Sequence, residues 1–439
     1  MLVPLTITAL LTRGHFLANP YGGDNSRDFT VAVQNAAEHD IADSRLAPDD
    51  DTPSTATQVP ALGAALAFIA TAQFDLAAAA LDAYAAEHPH AAESAWALRR
   101  AYVYWHALNR TTEAAQTLHR YESHHAAREP RAAAMFFWSR REHSPQRRDH
   151  ANTYLARHAK HGPPDLRIAA EAELAADLWH ASCPRTWHGL CVDFTWSTNN
   201  IPCTSGRAPL FTVRPRDPAL SRAALRHAST VTRLSRTLDF THVAPWRRPA
   251  LRAALGKAAL VTSDDAIENL IALEFPRHLS FMVEHYKNTP EIPKWQKEYR
   301  EQVRRHDDSQ RRFHRYWTAY VTHHRSAGKL VDALRDTGSA PAMMLGMTRF
   351  ALAVGEVMDE QDFVPTDDME PRDDESAWLF CQPSERTRPW LEIANQLLDT
   401  CAELVRSSGM HHPDLNICFE GFNRLYGAED WLPEFYAPT

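Results

Sequence analysis

The sequence predicts an all-α fold, and three features of its composition support this prediction. The 439 residues include 28 prolines but only 15 glycines, where average usage would give about 30 glycines. Of the 47 basic residues, six are lysines and the rest are arginines, and alanine dominates long stretches in which valine and isoleucine are sparse. Alanine, leucine and arginine favour helices, whereas strands favour β-branched residues. With 44% hydrophobic residues, the chain can bury a large core, and its length indicates two to three domains or one repeat array.

The first 58 residues are predicted to be an N-terminal arm or linker. Residues 2–11 are largely apolar, but Arg13 follows them and no basic residue precedes them. This order is the reverse of a secretory signal, so the stretch is interpreted as a truncated leader or as a short ordered arm. Residues 20–58 are rich in polar residues, glycine and proline, which is typical of a linker or of an arm that orders only against another element.

Residues 59–180 are predicted to form repeating helical pairs. Three segments align on Tyr84, Tyr121 and Tyr154, which are separated by 37 and 33 residues. A period of about 34 residues built from paired helices is the signature of the tetratricopeptide repeat (TPR). The residues resembling that repeat's small packing residue, large packing residue and terminating proline are Ala77, Leu81 and Pro89, with Ala114 and Leu118 in the second segment. The third segment matches less well, because Arg147 occupies its small position.

A histidine follows each of these tyrosines by four residues, at His88, His125 and His158. Such a recurrence could indicate a metal ladder or polar residues at helix ends. Neighbouring helices stand about 10 Å apart, which is too far for three imidazoles to bind one ion. The sequence therefore predicts helix-terminal histidines, which also suit the negative end of the helix dipole.

The rest of the chain is predicted to be an irregular cysteine-containing segment at 181–213 and a larger helical region at 214–439. One short hairpin is possible between residues 191 and 213. The predicted helices span residues 164–179, 219–238, 249–257, 266–286, 293–326, 342–358 and 390–407. Asp217 is predicted to cap the second of these helices, and the cluster Thr262–Asp265 the fourth. Pro276 is predicted to kink or restart the fourth helix.

The six cysteines leave two interpretations open: free buried thiols, or disulfides formed in an oxidising compartment. They are Cys183, Cys191, Cys203, Cys381, Cys401 and Cys418. The local pairs Cys183–Cys191 and Cys401–Cys418 would close short loops. A zinc site is the alternative for the first group, since His180 and His188 each precede a cysteine by three residues. That spacing matches no common zinc finger, so no metal is predicted.

Charge is distributed unevenly along the chain. Residues 207–257 contain eleven basic and two acidic residues, whereas residues 356–439 contain nineteen acidic and five basic residues. These stretches are interpreted as two faces that meet each other or solvent, or as a patch that meets a partner. The aromatic residues near the arginines are too scattered to indicate nucleic-acid binding.

Short segments in a characteristic order span residues 60–439. They are Leu178-Trp179, Ser182–Pro184, Gly189–Val192, Ile201–Cys203 with Gly206, Arg214–Pro218, Leu273–Pro276 with Leu279–Phe281, Met347–Phe350, Phe380-Cys381, Cys401 and Asn416–Cys418. Their order resembles that of long TPR-containing cell-envelope proteins of myxobacteria and related deltaproteobacteria. The resemblance implies a helical-repeat scaffold with no known chemistry. It includes all six cysteines and implies that they pair, although the N-terminus departs from it in showing no clear signal sequence.

No motif of a common enzyme class is present: the chain has no HExxH, GxSxG, Walker or GxGxxG pattern. We therefore expect a non-enzymatic TPR-type scaffold or protein-binding subunit of a cell-envelope assembly, without cofactor, metal or catalytic residues. Other proteins are its expected partners, nucleic acid is not, and membrane contact is at most peripheral. A self-assembling structural subunit is one alternative. The other is a helical enzyme with a His/carboxylate site such as Glu274, His278 and His285.

Overall fold

A computed structural model describes residues 31–36, 39, 42–43, 59–143, 146–196, 209–274, 276 and 293–362. These residues are mostly helical and include only two short strands, which confirms the predicted all-α class. The α-helices after residue 59 are α1 (Pro60–Ala70), α2 (Phe74–Glu87), α3 (Ala92–Ala107), α4 (Thr111–His124), α5 (Pro130–Ser139), α6 (Arg147–Arg157), α7 (Pro164–Ala181), α8 (Pro218–Ser235), α9 (Arg248–Ile271), α10 (Pro293–Asp332) and α11 (Ala340–Asp362).

The single hairpin among the described residues lies where the sequence predicts one. Strand β1 (Val192–Trp196) pairs antiparallel with β2 (Pro209–Val213), so that Val192 lies opposite Val213. Short 3-10 helices at Arg140–His143, Phe240–His242, Pro245–Arg247 and Ala333–Thr337 complete the regular structure. The arrangement of the helices as a repeat solenoid stays a prediction.

The prediction for residues 249–286 is wrong in one respect. A continuous helix, α9, runs through the break predicted between residues 257 and 266, and the cluster Thr262–Asp265 lies inside it rather than at a start. The Thr262 hydroxyl donates to the Ala259 carbonyl at 2.8 Å, and the Ser263 hydroxyl donates to the Leu260 carbonyl at 3.0 Å. Both side chains thus bond back to the preceding turn instead of capping a following one. The helix ends at Ile271, before the expected proline kink, and residues 277–292 lie outside the described residues.

The chain divides into two compact units. The first unit comprises Ile41–Leu174 and Arg233–Leu251, and the second comprises Met1–Asp40, Ala175–Thr232 and Arg252–Thr439. The boundaries predicted at residues 58, 180 and 213 stay a prediction. Residues 1–30, which include the expected leader or arm, lie outside the described residues, as does the predicted helix at 390–407.

The first unit has a core built from its helices in chain order. Helix α2 packs against both α1 and α3, and α3 packs against α4. The large buried side chains of this core are Leu62, Leu81, Tyr84, Trp96, Leu98, Trp105, Tyr121 and Phe136. Asp82 ties three helices together: it accepts bonds from Trp105 Nε1 at 2.9 Å and Thr117 Oγ1 at 2.8 Å, and it pairs with Arg120 at 2.8 Å.

The second unit is built around α10, α11, the end of α9 and the hairpin. Its core includes Leu190, Val192, Phe211, Ile267, Leu270, Tyr316, Tyr320, Leu334, Met343, Met347 and Phe350. Val33 and Ala36, on a helical segment at residues 31–36, are buried in the same core. Part of the stretch predicted to be an arm is therefore packed within this unit. No helix in the described part of the chain is long and apolar enough to cross a bilayer.

Candidate functional site

A disulfide closes a short loop directly after α7. Cys183 and Cys191 are bonded to each other, with their Cα atoms 5.7 Å apart. Their sulfurs are therefore not available to zinc, and the described residues contain no group of three or more side chains that could hold a metal ion. Cys203, Cys381, Cys401 and Cys418 lie outside the described residues, so the pair Cys401–Cys418 stays a prediction.

The loop between the two cysteines makes a tight turn. The backbone groups of Trp187 and Leu190 bond to each other in both directions, at 2.8 and 3.0 Å. Within the turn His188 has φ +44° and Gly189 has φ +94°, a region that favours glycine. A Cβ atom added at Gly189 would collide with the guanidinium group of Arg349. Glycine is therefore required here both by backbone conformation and by space.

Arg216 joins this loop to α7 and α9. Its guanidinium forms a bidentate pair with Glu268, Nε to Oε2 at 2.7 Å and Nη2 to Oε1 at 2.6 Å. It also donates to the Trp179 carbonyl at 2.7 Å and the Ser182 hydroxyl at 2.9 Å. Glu268 Oε1 in turn accepts the backbone N–H of Cys191 at 2.7 Å. The buried Arg216–Glu268 pair thus links the end of α7, Cys191 of the disulfide and α9.

A second buried ion pair lies beside the first. Arg349 Nη1 donates to both carboxylate oxygens of Asp264, at 2.8 and 2.7 Å, and both side chains are about 5% exposed. Asp264 and Glu268 are four residues apart on α9 and therefore share a face. We call the loop Cys183–Cys191 with Arg216, Asp264, Glu268 and Arg349 the loop-anchoring network.

The electrostatics of the network favour a structural role. Burial raises the pKa of Asp264 to about 6, and neighbouring Glu268 adds to this rise while Arg349 opposes it. Each carboxylate has a guanidinium partner, so neither is placed as a free general base. Buried ion pairs of this kind stabilise weakly overall but are costly to break on one side. The network therefore holds the loop in one conformation.

The network is not predictable from the sequence. The local pattern places Asp264 in a helix cap, and Arg216 and Arg349 stand out only as members of segments that carry the resemblance. Arg216 and Glu268 are 52 residues apart and Asp264 and Arg349 are 85 apart, so no local spacing indicates these pairs. The alternative enzyme site stays a prediction, because His278 and His285 lie outside the described residues and only Glu274, which is exposed, lies within them.

The three repeated histidines lie at helix ends, as predicted. Residues His88, His125 and His158 are the C-caps of α2, α4 and α6. Each backbone N–H donates to the carbonyl of the tyrosine four residues earlier, at 2.8–2.9 Å. Each imidazole also lies beside that tyrosine's ring, with centroids 4.9–6.3 Å apart. Burial lowers the pKa of His125 and of His158, a shift that favours the neutral imidazole beside the tyrosine ring.

Exposed apolar side chains are concentrated on α2 and α3 of the first unit. Seven large apolar side chains in the described part of the chain are 36–48% exposed, and four of them are Phe74, Leu76, Val103 and Leu108. The ring of Phe74, at the start of α2, stacks on Tyr104 near the end of α3, with centroids 5.2 Å apart. Phe74 and Leu76 lie in the first turn of α2, Val103 lies near the end of α3, and Leu108 directly follows α3. All four therefore lie at the same end of the helix pair, although on different faces of the two helices, and we call this set the α2–α3 apolar cluster.

No protein-family model, no curated protein and no solved structure matches this chain.

Proposed function

We propose that the protein is a non-enzymatic, TPR-type helical scaffold that binds another protein through the α2–α3 apolar cluster. The observation that supports this most directly is the exposure of Phe74, Leu76, Val103 and Leu108 at one end of a helix pair. Scattered exposed apolar residues are normal on protein surfaces, but a local concentration of them marks a binding site. Each of the four is 40–46% exposed, so burying the remaining surface of one such side chain would contribute about 0.6–1.4 kcal/mol. Several of them together would contribute substantially to an interface.

The helices under the cluster are held rigidly by polar contacts. Asp82 of α2 bonds Trp105 of α3 and both Thr117 and Arg120 of α4, while Arg99 of α3 pairs with Glu129 at the start of α5. A surface that is ordered before binding loses less conformational entropy when its partner arrives. This arrangement suits recognition of a protein segment with complementary apolar side chains.

The disulfide supports placing this function in the cell envelope or periplasm. Disulfides persist in oxidising compartments and are rare in the cytosol, and Cys183 and Cys191 form one. With the resemblance to envelope TPR proteins, this favours a subunit of an envelope assembly. The resemblance also implies that the remaining four cysteines pair, which would add to the same conclusion.

Affinity purification from the native cell under mild conditions tests the proposal. Three tagged full-length chains are compared: wild type, the double variant Phe74→Ala/Leu108→Ala, and Tyr299→Ala. Tyr299 is the matched control, because it is 42% exposed but lies on α10 of the second unit. We expect a stoichiometric protein partner with the wild type and the control, and about a tenfold or greater loss with the double variant.

Two outcomes would contradict the proposal. Equal recovery of the same partner by all three chains would show that the α2–α3 apolar cluster is not the binding surface. Recovery of the tagged chain with copies of itself only would favour a self-assembling subunit. Circular dichroism of each variant verifies that its helices are retained.

A further inference from the structure

Among the arginines of the basic stretch at residues 207–257, two groups differ in their surroundings. One group is paired within its own unit: Arg214 with Asp193, Arg216 with Glu268, Arg247 with Asp165 and Arg248 with Asp43. None of these four carboxylates belongs to the acidic stretch at residues 356–439. These four arginines therefore already have partners elsewhere. Only the other arginines of the basic stretch are left to meet the acidic stretch.

The second group forms a row along α8. Arg222, Arg226 and Arg233 are all exposed. At about 100° per residue, their side chains fall within about 40° of one another around the helix. The buried residues Ala224, Ala228 and Val231 lie on the opposite side. Because the three arginines are on one continuous helix, their spacing follows from helix geometry alone.

Carboxylates are scarce around this row. Helix α8 contains no acidic residue, and in the described part of the chain no carboxylate lies within ion-pairing distance of Arg226 or Arg233. Arg222 is near Asp217, whose carboxylate mainly accepts the backbone N–H groups of Ala219 and Leu220 at the helix start. Three positive charges are thus presented together on one exposed helix face.

The chemistry of the face favours an acidic protein segment over lipid or nucleic acid. The other exposed residues of α8 include Ala219, Ser229 and Thr232, with no aromatic side chain among them. Membrane-surface helices insert aromatic or large apolar side chains beside their basic residues, and single-stranded nucleic acid needs rings on which bases stack. Guanidinium groups bind both carboxylates and phosphates in bidentate pairs, so it is the lack of exposed aromatic side chains on α8 that favours an acidic protein segment.

We propose that the arginine row of α8 binds the chain's own acidic stretch at residues 359–375. This stretch contains nine acidic residues and one basic residue, so it matches in charge a surface that lacks carboxylates. The pairing would bring together the two extremes of charge in a chain whose net charge is only −8. The proposal is independent of the α2–α3 apolar cluster and of any second protein.

Zero-length carbodiimide cross-linking of the full-length chain tests this directly. The variant Arg222→Lys/Arg226→Lys/Arg233→Lys keeps the charge of the row and adds amines that react with adjacent carboxylates. We expect mass spectrometry to find these amines joined to carboxylates of residues 359–375 within one molecule. Cross-links that form only between two copies, as shown by mixing isotopically labelled and unlabelled chains, would overturn the proposal. The cross-links should fall at least several-fold in 1 M salt, which screens exposed charges. They should also be lost when Asp367→Asn, Asp368→Asn, Asp373→Asn and Asp374→Asn are added.

Arg304→Lys on α10 is the matched control, because Arg304 is exposed and lies 2.8 Å from Glu301 on its own helix. It should cross-link to Glu301 in every background. If the control reacts but the α8 amines join only Asp217 or Asp239, or nothing, the proposal is overturned. Binding to vesicles of anionic phospholipid that requires the row, without the expected cross-links, would also overturn it.

Discussion

The guanidinium of Arg216 lies over the indole ring of Trp179, with its central carbon 3.6 Å from the ring centroid. The same group forms a bidentate pair with Glu268, and both side chains are at most 8% exposed. Arg216 therefore combines a cation–π contact with a desolvated ion pair, and both depend on the planar geometry of arginine. Because Glu268 also accepts the Cys191 amide, this residue connects α7, the disulfide loop and α9.

Replacing Arg216 should be strongly destabilising. Arg216→Ala leaves the buried carboxylate of Glu268 without its partner, which costs about 3–5 kcal/mol of unfolding free energy. Urea unfolding followed by circular dichroism measures this. Arg304→Ala, which removes an exposed pair on α10, should cost less than about 1 kcal/mol. Equal effects of the two substitutions would contradict the assignment of Arg216 as an anchor.

Gly189 should not tolerate a side chain. Gly189→Ala must adopt φ near +94° and displace the guanidinium of Arg349, so we expect a loss of about 1–3 kcal/mol. Gly63 is the control, since it lies inside α1 and a Cβ there meets nothing within 4 Å. Gly63→Ala should stabilise the protein by about 0.5–1 kcal/mol. Thermal unfolding of both variants should show melting temperatures that shift in opposite directions.

The disulfide can be tested by chemistry and by stability. Alkylation of the unreduced, denatured protein should leave Cys183 and Cys191 unmodified and recovered as one linked peptide by mass spectrometry. The variant Cys183→Ser/Cys191→Ser should lose about 2–4 kcal/mol of unfolding free energy. Alkylation of both thiols without a reductant would refute the bond and remove its support for an oxidising compartment.

His324 should make the protein less stable as the pH falls. Burial lowers the pKa of this histidine to about 4, and the charge of Arg325 adds to the effect, whereas an unfolded histidine titrates near its ordinary value of about 6.5. Between these two values the unfolded chain binds the extra proton, so the contribution of neutral His324 is present above about pH 6.5 and is lost as the pH falls toward 4.

Unfolding in urea at pH 7 and pH 5 measures this dependence. His324→Phe, which keeps an aromatic side chain against Tyr320 and Phe350, should reduce the difference in stability between the two pH values. His314 is exposed on the same helix, so His314→Phe should leave that difference unchanged. An unchanged difference in the His324 variant would mean that this residue is not the titrating group.

Features that depend on local residue order were predicted well. Asp217 and Pro218 mark the start of α8, where the Asp217 carboxylate accepts hydrogen bonds from the backbone N–H groups of Ala219 and Leu220. The long polar stretch from Pro293 forms α10, which extends six residues beyond the predicted end. The histidines that follow each repeated tyrosine end their helices. Caps, composition and periodicity act within a few residues, so they can be read along the chain.

The sequence by itself therefore determined the helical class, the position of the hairpin and most helix starts. Only the tertiary structure decided the role of Asp264, which locally resembles part of a helix cap. Arg349, 85 residues away, compensates the charge of Asp264 inside the core. Helix α9 can therefore continue past Asp264. The same holds for Glu268 and Arg216, 52 residues apart. A buried charge is stable only beside its partner, and that partner is chosen by packing rather than by neighbouring residues.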